Sequence, residues 1–355
     1  MKISNFRRYA LTRESGKVGH EGVRELKEES VIMHPFEGDG TEIPAAPVGA
    51  VPKKKGKLMA RLWRERYLYL LLLPGLAYFI VYRYVPMLGN VIAFQDFSPF
   101  QGFLHSDWVG FAHFRKIFGD PEVVRVLGNT LLLSMLQIVF AFPIPILLTI
   151  MLNELRSEKY KRMLQSILYL PHFLSWVVVI GIATIFLKTE GLVNEVLHAL
   201  FGAEPTAFLQ EPGWFMPLLV LEVIWKEAGW GTIMFLAALS GINPSLYEAA
   251  VVDGASRWRQ IWHITLPGLR STIVILFILR LGTVLDSGFE QVFLMLNPFT
   301  MDIGNVLDTF VYYKGIQQAD FSFGTAVGLF KSVVGLLLIL GANKLAKKYG
   351  DQGVF

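Results

Sequence analysis

Two kinds of residue in this chain have types and spacing that could do chemistry: ionisable side chains set inside apolar runs, and a polar, glycine-punctuated stretch at residues 241–268. The first kind comprises Glu222, Lys226, Glu227, Arg280, Asp286 and Lys331. A charge taken out of water is costly unless it is paired or faces a wet cavity, so each of these needs a partner or a polar route. Glu222 and Lys226 stand four residues apart, a spacing that lets them pair on one helix face. Catalytic constellations are missing. There is no cysteine, which excludes thiolate nucleophiles, disulfides and thiolate metal sites. The seven histidines are scattered, without the His-x-x-x-His spacing that holds a metal from one helix. A phosphate-cradling loop should end in Gly-Lys-Ser or Gly-Lys-Thr, and the nearest approach, from Gly324 to Ser332, has the wrong spacing inside an apolar run. No Gly-x-Ser-x-Gly elbow occurs.

The second kind reads as a helical hairpin. Ser245 and Glu248 have the spacing of a capping box, Pro244 suits the first helical turn, and Gly254 supplies the left-handed residue that ends a helix. Ser256 then caps a second helix to about Ile264, and Pro267 closes it so that the next apolar run starts at a new angle. Ala249 and Ala250 leave a face small enough for another protein to approach closely. The expected product is a surface docking element.

The elements around these residues are membrane helices. The chain has 355 residues, 53% hydrophobic, 13% aromatic and only 17% charged, the composition of a membrane protein. Runs of about 20 apolar residues, enough to cross a hydrocarbon core of roughly 30 Å, occur at 67–86, 130–152, 164–187, 215–239, 271–292 and 321–342. The expectation is an all-α polytopic membrane protein with six transmembrane helices spread over residues 61–355. Positive residues are retained on the cytoplasmic side. They crowd before the first run, after the second (Arg156, Lys159, Lys161, Arg162), after the fourth (Arg257, Arg259) and in the C-terminal tail (Lys344, Lys347, Lys348). Both termini and the 241–268 hairpin are therefore expected in the cytoplasm. The net charge of +4 does not form a stripe suited to nucleic acid. Residues 1–60 are polar and aperiodic and read as a disordered cytoplasmic tail. The connection between the first two runs carries Phe94, Phe97, Phe100, Phe103, Trp108, Phe111, Phe114 and Phe118, suited to the outer interface. Pro143, Pro145 and Pro171 are expected to bend their helices, and Gly229 and Gly231 to mark close packing.

The residues Glu248-Ala249-Ala250, then Asp253-Gly254-Ala255, then Ile264-Thr265-Leu266-Pro267 resemble the EAA loop of binding-protein-dependent ABC importer permeases. More narrowly, residue 63 onward resembles the maltose-permease-like branch that imports oligosaccharides and polysaccharide fragments. The residues that carry this likeness are 67–75, the stretch 170–178 that opens with Leu170-Pro171-His172, and Ile224-Trp225-Lys226-Glu227-Ala228-Gly229-Trp230-Gly231. The resemblance implies the type I importer permease fold in the cell membrane, with the last five helices as a moving core and the first wrapping a neighbour. It also implies a non-catalytic subunit with no cofactor of its own, ATP and Mg being held by a partner ATPase. The other partners implied are a second, different permease subunit and an extracytoplasmic solute-binding protein that delivers the oligosaccharide.

By the same resemblance, Tyr247, Glu248, Ala249, Ala250, Asp253, Gly254, Ala255, Leu266 and Pro267 would make or shape the contact with the ATPase. The intramembrane charges, read apart from the resemblance, leave two roles open: a structural Glu222–Lys226 pair, or a polar route lined by Glu222, Trp225, Lys226, Trp230 and Arg280 on which sugar hydroxyls and ring faces rest. The rival readings are an importer permease for a non-carbohydrate solute, a stand-alone secondary transporter, for which the intramembrane charges speak, and a membrane-embedded enzyme, which lacks its constellation.

Overall fold

The computed structural model describes residue 63 and residues 65–348. The expected tail at 1–60 lies outside them. The chain divides into two units, residues 1–67 and 68–355, and the helical core lies in the second.

The regular structure of the described residues is helical apart from a two-stranded antiparallel hairpin, β1 (Gln95–Asp96) with β2 (Asp107–Trp108), which pairs Gln95 with Trp108 and Asp96 with Asp107. The helices that matter here are α1 (Arg66–Phe79), α2 (Pro121–Leu136), α3 (Pro143–Glu154), α4 (Glu158–Tyr169), α5 (Trp176–Leu187) and α6 (Leu192–Phe201). After them come α7 (Pro212–Ser240), α8 (Pro244–Val252), α9 (Arg257–Gln260), α10 (Leu266–Gly282), α11 (Phe289–Met295), α12 (Leu307–Val311) and α13 (Phe321–Lys348). Among the described residues, five helical runs are long and apolar enough to cross a membrane: Arg66–Phe94, Pro121–Glu154, Trp176–Phe201, Arg257–Gly282 and Phe321–Lys348. A sixth is reached by counting α7 together with α8, from which it bends by 71°.

Proline placement explains why several of these runs continue where a break is expected. Proline clashes with the carbonyl four residues back and donates no hydrogen bond, so it disrupts a helix interior. Here Pro86, Pro143 and Pro267 each follow a π-helical turn, at Ile80–Tyr84, Gln137–Ala141 and Ile261–Thr265. The wider turn moves the carbonyl away from the ring, so the helix continues through the proline. The expectation that Pro267 closes a helix is thus corrected: Arg257–Gly282 is one run, with Pro267 in the first turn of α10.

Two predicted spans shift. The run 164–187 is not one helix, because Leu170–Phe173 form a 3-10 turn around Pro171 and α5 starts afresh with Ser175 as its cap. The run 271–292 ends at Gly282. The polar turn through Asp286, Ser287 and Gly288 (φ 82°) comes next, pinned where Ser287 N donates to Asp308 Oδ2 at 3.2 Å.

Burial concentrates far from the 241–268 hairpin. One cluster joins Phe215, Met216, Leu218, Leu219 and Val220 of α7 to Ile180, Val292 and Met295, and a second joins Val123 and Val126 of α2 to Phe310, Phe323 and Val327. At 1.5 Å per residue, the α7 residues of the first cluster lie roughly 30 Å from the end of α7 that bears the hairpin. Helices α3 and α7 pack against each other. Glycine permits two close approaches to α7: a Cβ on Gly231 would stand 2.9 Å from Pro145 Cγ of α3, and one on Gly229 would overlap the carbonyl oxygen of Leu168 in α4. By contrast, no residue of α1 is buried.

Candidate functional site

The hairpin begins where α7 ends. The cap of α8 is Asn243, not Ser245: Asn243 Oδ1 accepts from Ser245 N at 3.0 Å, and Pro244 takes the position whose N–H would be orphaned anyway. The Asn-Pro pair carried this signal in the sequence. Helix α8 closes with a Schellman motif. Ala255 N donates to Ala250 O at 2.8 Å and Gly254 N to Val251 O at 3.1 Å, with Gly254 at φ 72°. Ser256 Oγ then accepts from Arg259 N at 3.5 Å, as its capping role requires.

Three contacts fasten the two arms and the turn between them. Tyr247 Oη and Thr265 Oγ1 are 3.0 Å apart, Gln260 Nε2 donates to Ala255 O at 3.0 Å, and Ile242 lies so close to Gly268 that no Cβ would fit there. Gln260, buried, was not singled out from the sequence, and Thr265, also buried, entered only as part of the motif that carries the resemblance, because the hydroxyl it meets comes from the opposite arm. Of the expected docking residues, Tyr247, Ala250, Ala255 and Leu266 are half-buried, whereas Glu248, Ala249, Asp253, Gly254 and Pro267 are exposed. Between this hairpin and the end of α3 lies a cleft of ≈ 520 Å³ lined by Asn153, Glu154, Tyr247, Glu248, Val251 and Arg257. Leu246, Val251 and Val252 of α8 and Trp258 and Trp262 beyond it are exposed apolar side chains on the same element.

The intramembrane charges do not pair as their spacing suggested. Glu222 does not meet Lys226. Its Oε2 accepts from Gln291 Nε2 of α11 at 2.8 Å, and its buried Oε1 has no hydrogen-bond partner among the described residues. Glu222 and Trp225 lie together along an apolar groove of ≈ 230 Å³ between α5 and α7. Lys226 is directed at the break after α4. Its Nζ donates to His172 O at 2.7 Å, lies 3.3 Å from Glu227 Oε1 and sits 5.4 Å from the centre of the Trp176 ring. His172 Nδ1 is 2.7 Å from Glu227 Oε2, and its ring stacks on Trp230 at 4.4 Å, nearly parallel. Lys226, Glu227, His172, Trp176 and Trp230 thus form one assembly.

Arg280 belongs elsewhere. It donates to Gln137 Oε1 in the π turn after α2, and among the described residues no hydrogen bond joins it to the Lys226 assembly. Lys331 of α13 is clamped between Asp308, which its Nζ contacts closely, and Asp286 at 3.5 Å. Gln137, His172 and Gln291 escaped sequence reasoning because a lone amide or imidazole has no local signature of its partner.

Comparison with known proteins agrees with this architecture. Residues 124–350 match the family model described as binding-protein-dependent transport system inner membrane component. The chain is similar to Protein LplB of Bacillus subtilis (strain 168), with 51% identity over 298 residues, 84% of this chain and 93% of the relative. It is also similar to the polygalacturonan/rhamnogalacturonan transport system permease protein YteP of the same organism, with 48% identity over 318 residues, 88% of this chain and 99% of the relative. Among solved structures, the crystal structure of a bacterial alginate ABC transporter in complex with alginate pentasaccharide-bound periplasmic protein contains a similar chain. The TM-score is 0.78 and the identity 40%, over 84% of this chain and 100% of that one. With the family model spanning more than half of the sequence and its helices long enough to cross a bilayer, this chain belongs to the binding-protein-dependent transport system inner membrane components, as a multi-pass permease of the cell membrane.

Proposed function

We propose that this chain forms half of the membrane pathway of an ATP-driven importer that moves an oligosaccharide or polysaccharide fragment into the cytoplasm. The observation that carries the reading is the hairpin at residues 241–268. It is closed by its own hydrogen bonds, yet it displays Leu246, Val251 and Val252 to the outside. A rigid element with an uncovered apolar face is what a partner needs in order to push on the membrane helices. The partner is a cytoplasmic ABC ATPase that holds ATP and Mg; the permease itself performs no catalysis. Glu248, Ala249, Asp253 and Gly254 stand at the contact, while Tyr247, Ala250, Ala255, Leu266 and Pro267 shape it. The second half of the pathway is a different permease chain, against which the exposed α1 would lie, and an extracytoplasmic binding protein delivers the solute. Carbohydrate as the solute is supported by relatives whose names concern polygalacturonan and alginate. Trp225, Trp230, Glu222 and Arg280 are the side chains offered to it, with Lys226 holding the broken helix on which Trp230 is stacked.

The test is the ATPase rate of the assembled complex in lipid, with and without loaded binding protein, for the native chain and Gly254→Val. A β-branched residue cannot take φ 72° without strain. Stimulation should vanish while the complex still forms; unchanged stimulation places the coupling elsewhere.

A further inference from the structure

Helix α4 (Glu158–Tyr169) presents three stripes with different fates. Lys161, Gln165, Leu168 and Tyr169 are half-buried, on the side packed against α7, where the Leu168 carbonyl lies over Gly229. Tyr160, Met163, Leu164 and Ile167, at the i, i+3, i+4, i+7 spacing of one face, are open, at 62%, 51%, 36% and 59% exposure. The apolar surface continues along the chain through Leu170 and Phe173 into Val177 of α5, at 65%, 71% and 59% exposure. The third stripe is Lys159, Arg162 and Ser166, all exposed, with exposed Arg156 just ahead of the helix.

The charges on this third stripe are unspent. Among the described residues, Arg156, Lys159 and Arg162 make no ion pair, although their neighbour Arg257 lies 3.9 Å from Glu154. The acid on α4 itself is Glu158 alone. An apolar stripe continuous with a membrane-spanning run has hydrocarbon as its natural cover, and the cations beside it stand at the level of the headgroups. Clustered basic residues next to a span mark the cytoplasmic leaflet, where acidic headgroups are found.

We propose that Arg156, Lys159 and Arg162 bind the headgroup of an anionic phospholipid whose acyl chains lie along Tyr160, Met163 and Ile167. Because α4 packs on α7 through Gly229, and α7 ends in the coupling hairpin, lipid held on α4 steadies the helix that the ATPase must move. The stimulated rate therefore depends on anionic lipid. The proposal needs the chain to work in a bilayer with its partners, and is independent of which solute is carried.

The experiment places the complete complex in nanodiscs of phosphatidylcholine alone, or of phosphatidylcholine mixed with phosphatidylglycerol. Binding-protein-stimulated ATPase is measured for the native chain, for the triple variant Arg156→Gln/Lys159→Gln/Arg162→Gln, and for the charge-preserving Arg156→Lys/Arg162→Lys. The native complex should run at least about threefold faster with phosphatidylglycerol. The triple variant should lose that difference while keeping its rate in phosphatidylcholine, and the charge-preserving variant should keep it. Native mass spectrometry should show fewer phosphatidylglycerol molecules retained by the triple variant. A native complex indifferent to phosphatidylglycerol, or a triple variant that keeps the full difference, overturns the proposal. So does failure of the triple variant to assemble, since that outcome makes the face a protein interface.

Discussion

Lys226 Nζ donates a 2.7 Å hydrogen bond to the carbonyl of His172, the residue at which the third span breaks. A 3-10 turn inside a membrane leaves carbonyls without helical partners, and a buried carbonyl without a donor is costly. A lysine 5% exposed on the neighbouring helix supplies the donor, and Glu227 balances its charge.

Lys226→Met keeps the apolar stem and removes the donor. The loss of a charged hydrogen bond to the half-buried His172 carbonyl should cost about 1–3 kcal/mol, read as a lower unfolding temperature of the assembled complex in nanodiscs. Normal stability with abolished uptake would instead make Lys226 a solute contact.

Gly229→Ala should be worse than its single methyl suggests, because that methyl meets the Leu168 carbonyl. Overpacking of this kind costs about 1–3 kcal/mol. Gly128→Ala in α2 meets nothing within 4 Å and should be neutral, or stabilise by roughly 0.5 kcal/mol through chain entropy. Equal melting temperatures for the two variants would show that α4 and α7 do not cross this closely.

Tyr247→Phe removes the hydroxyl that faces Thr265 across the hairpin at 3.0 Å. The expected loss is about 1 kcal/mol of hairpin closure, seen as faster amide exchange in α8 and weaker stimulation by loaded binding protein. Assembly should be unchanged. Exchange rates identical to native would mean that the two arms are held without this bond.

Arg280→Leu should lower uptake about tenfold while leaving assembly with the ATPase intact, as expected of a polar group on the route. Gln137→Leu is the control, since it removes Arg280's partner and leaves the guanidinium. If both variants fail alike, the Arg280–Gln137 bond is structural and Arg280 has no separate task.

Membrane class and the hairpin could be read from the chain itself. Apolar runs of spanning length arise from composition along the sequence, and the hairpin arises from short-range signals: proline after Asn243, a left-handed glycine at 254 and a serine cap at 256. These are local effects, decided within a few residues, so one sequence suffices to show them. Where helices stop was less legible. Pro267 reads as a terminator until the π turn at Ile261–Thr265 is seen to absorb it, and Pro171 reads as a bend until the turn at Leu170–Phe173 is seen to break the span.

Partnership of the buried charges was decided only by tertiary structure. Spacing along α7 pairs Glu222 with Lys226, yet the fold brings Gln291 from 69 residues away to Glu222 and the His172 carbonyl from 54 residues away to Lys226. The i, i+4 contact is worth a few tenths of a kcal/mol on an exposed helix. An unsatisfied carbonyl or amide in a membrane core costs several times as much. The chain therefore sets which residues carry charge, and the packing of broken helices, whose orphaned groups compete for those charges, determines where each one is used.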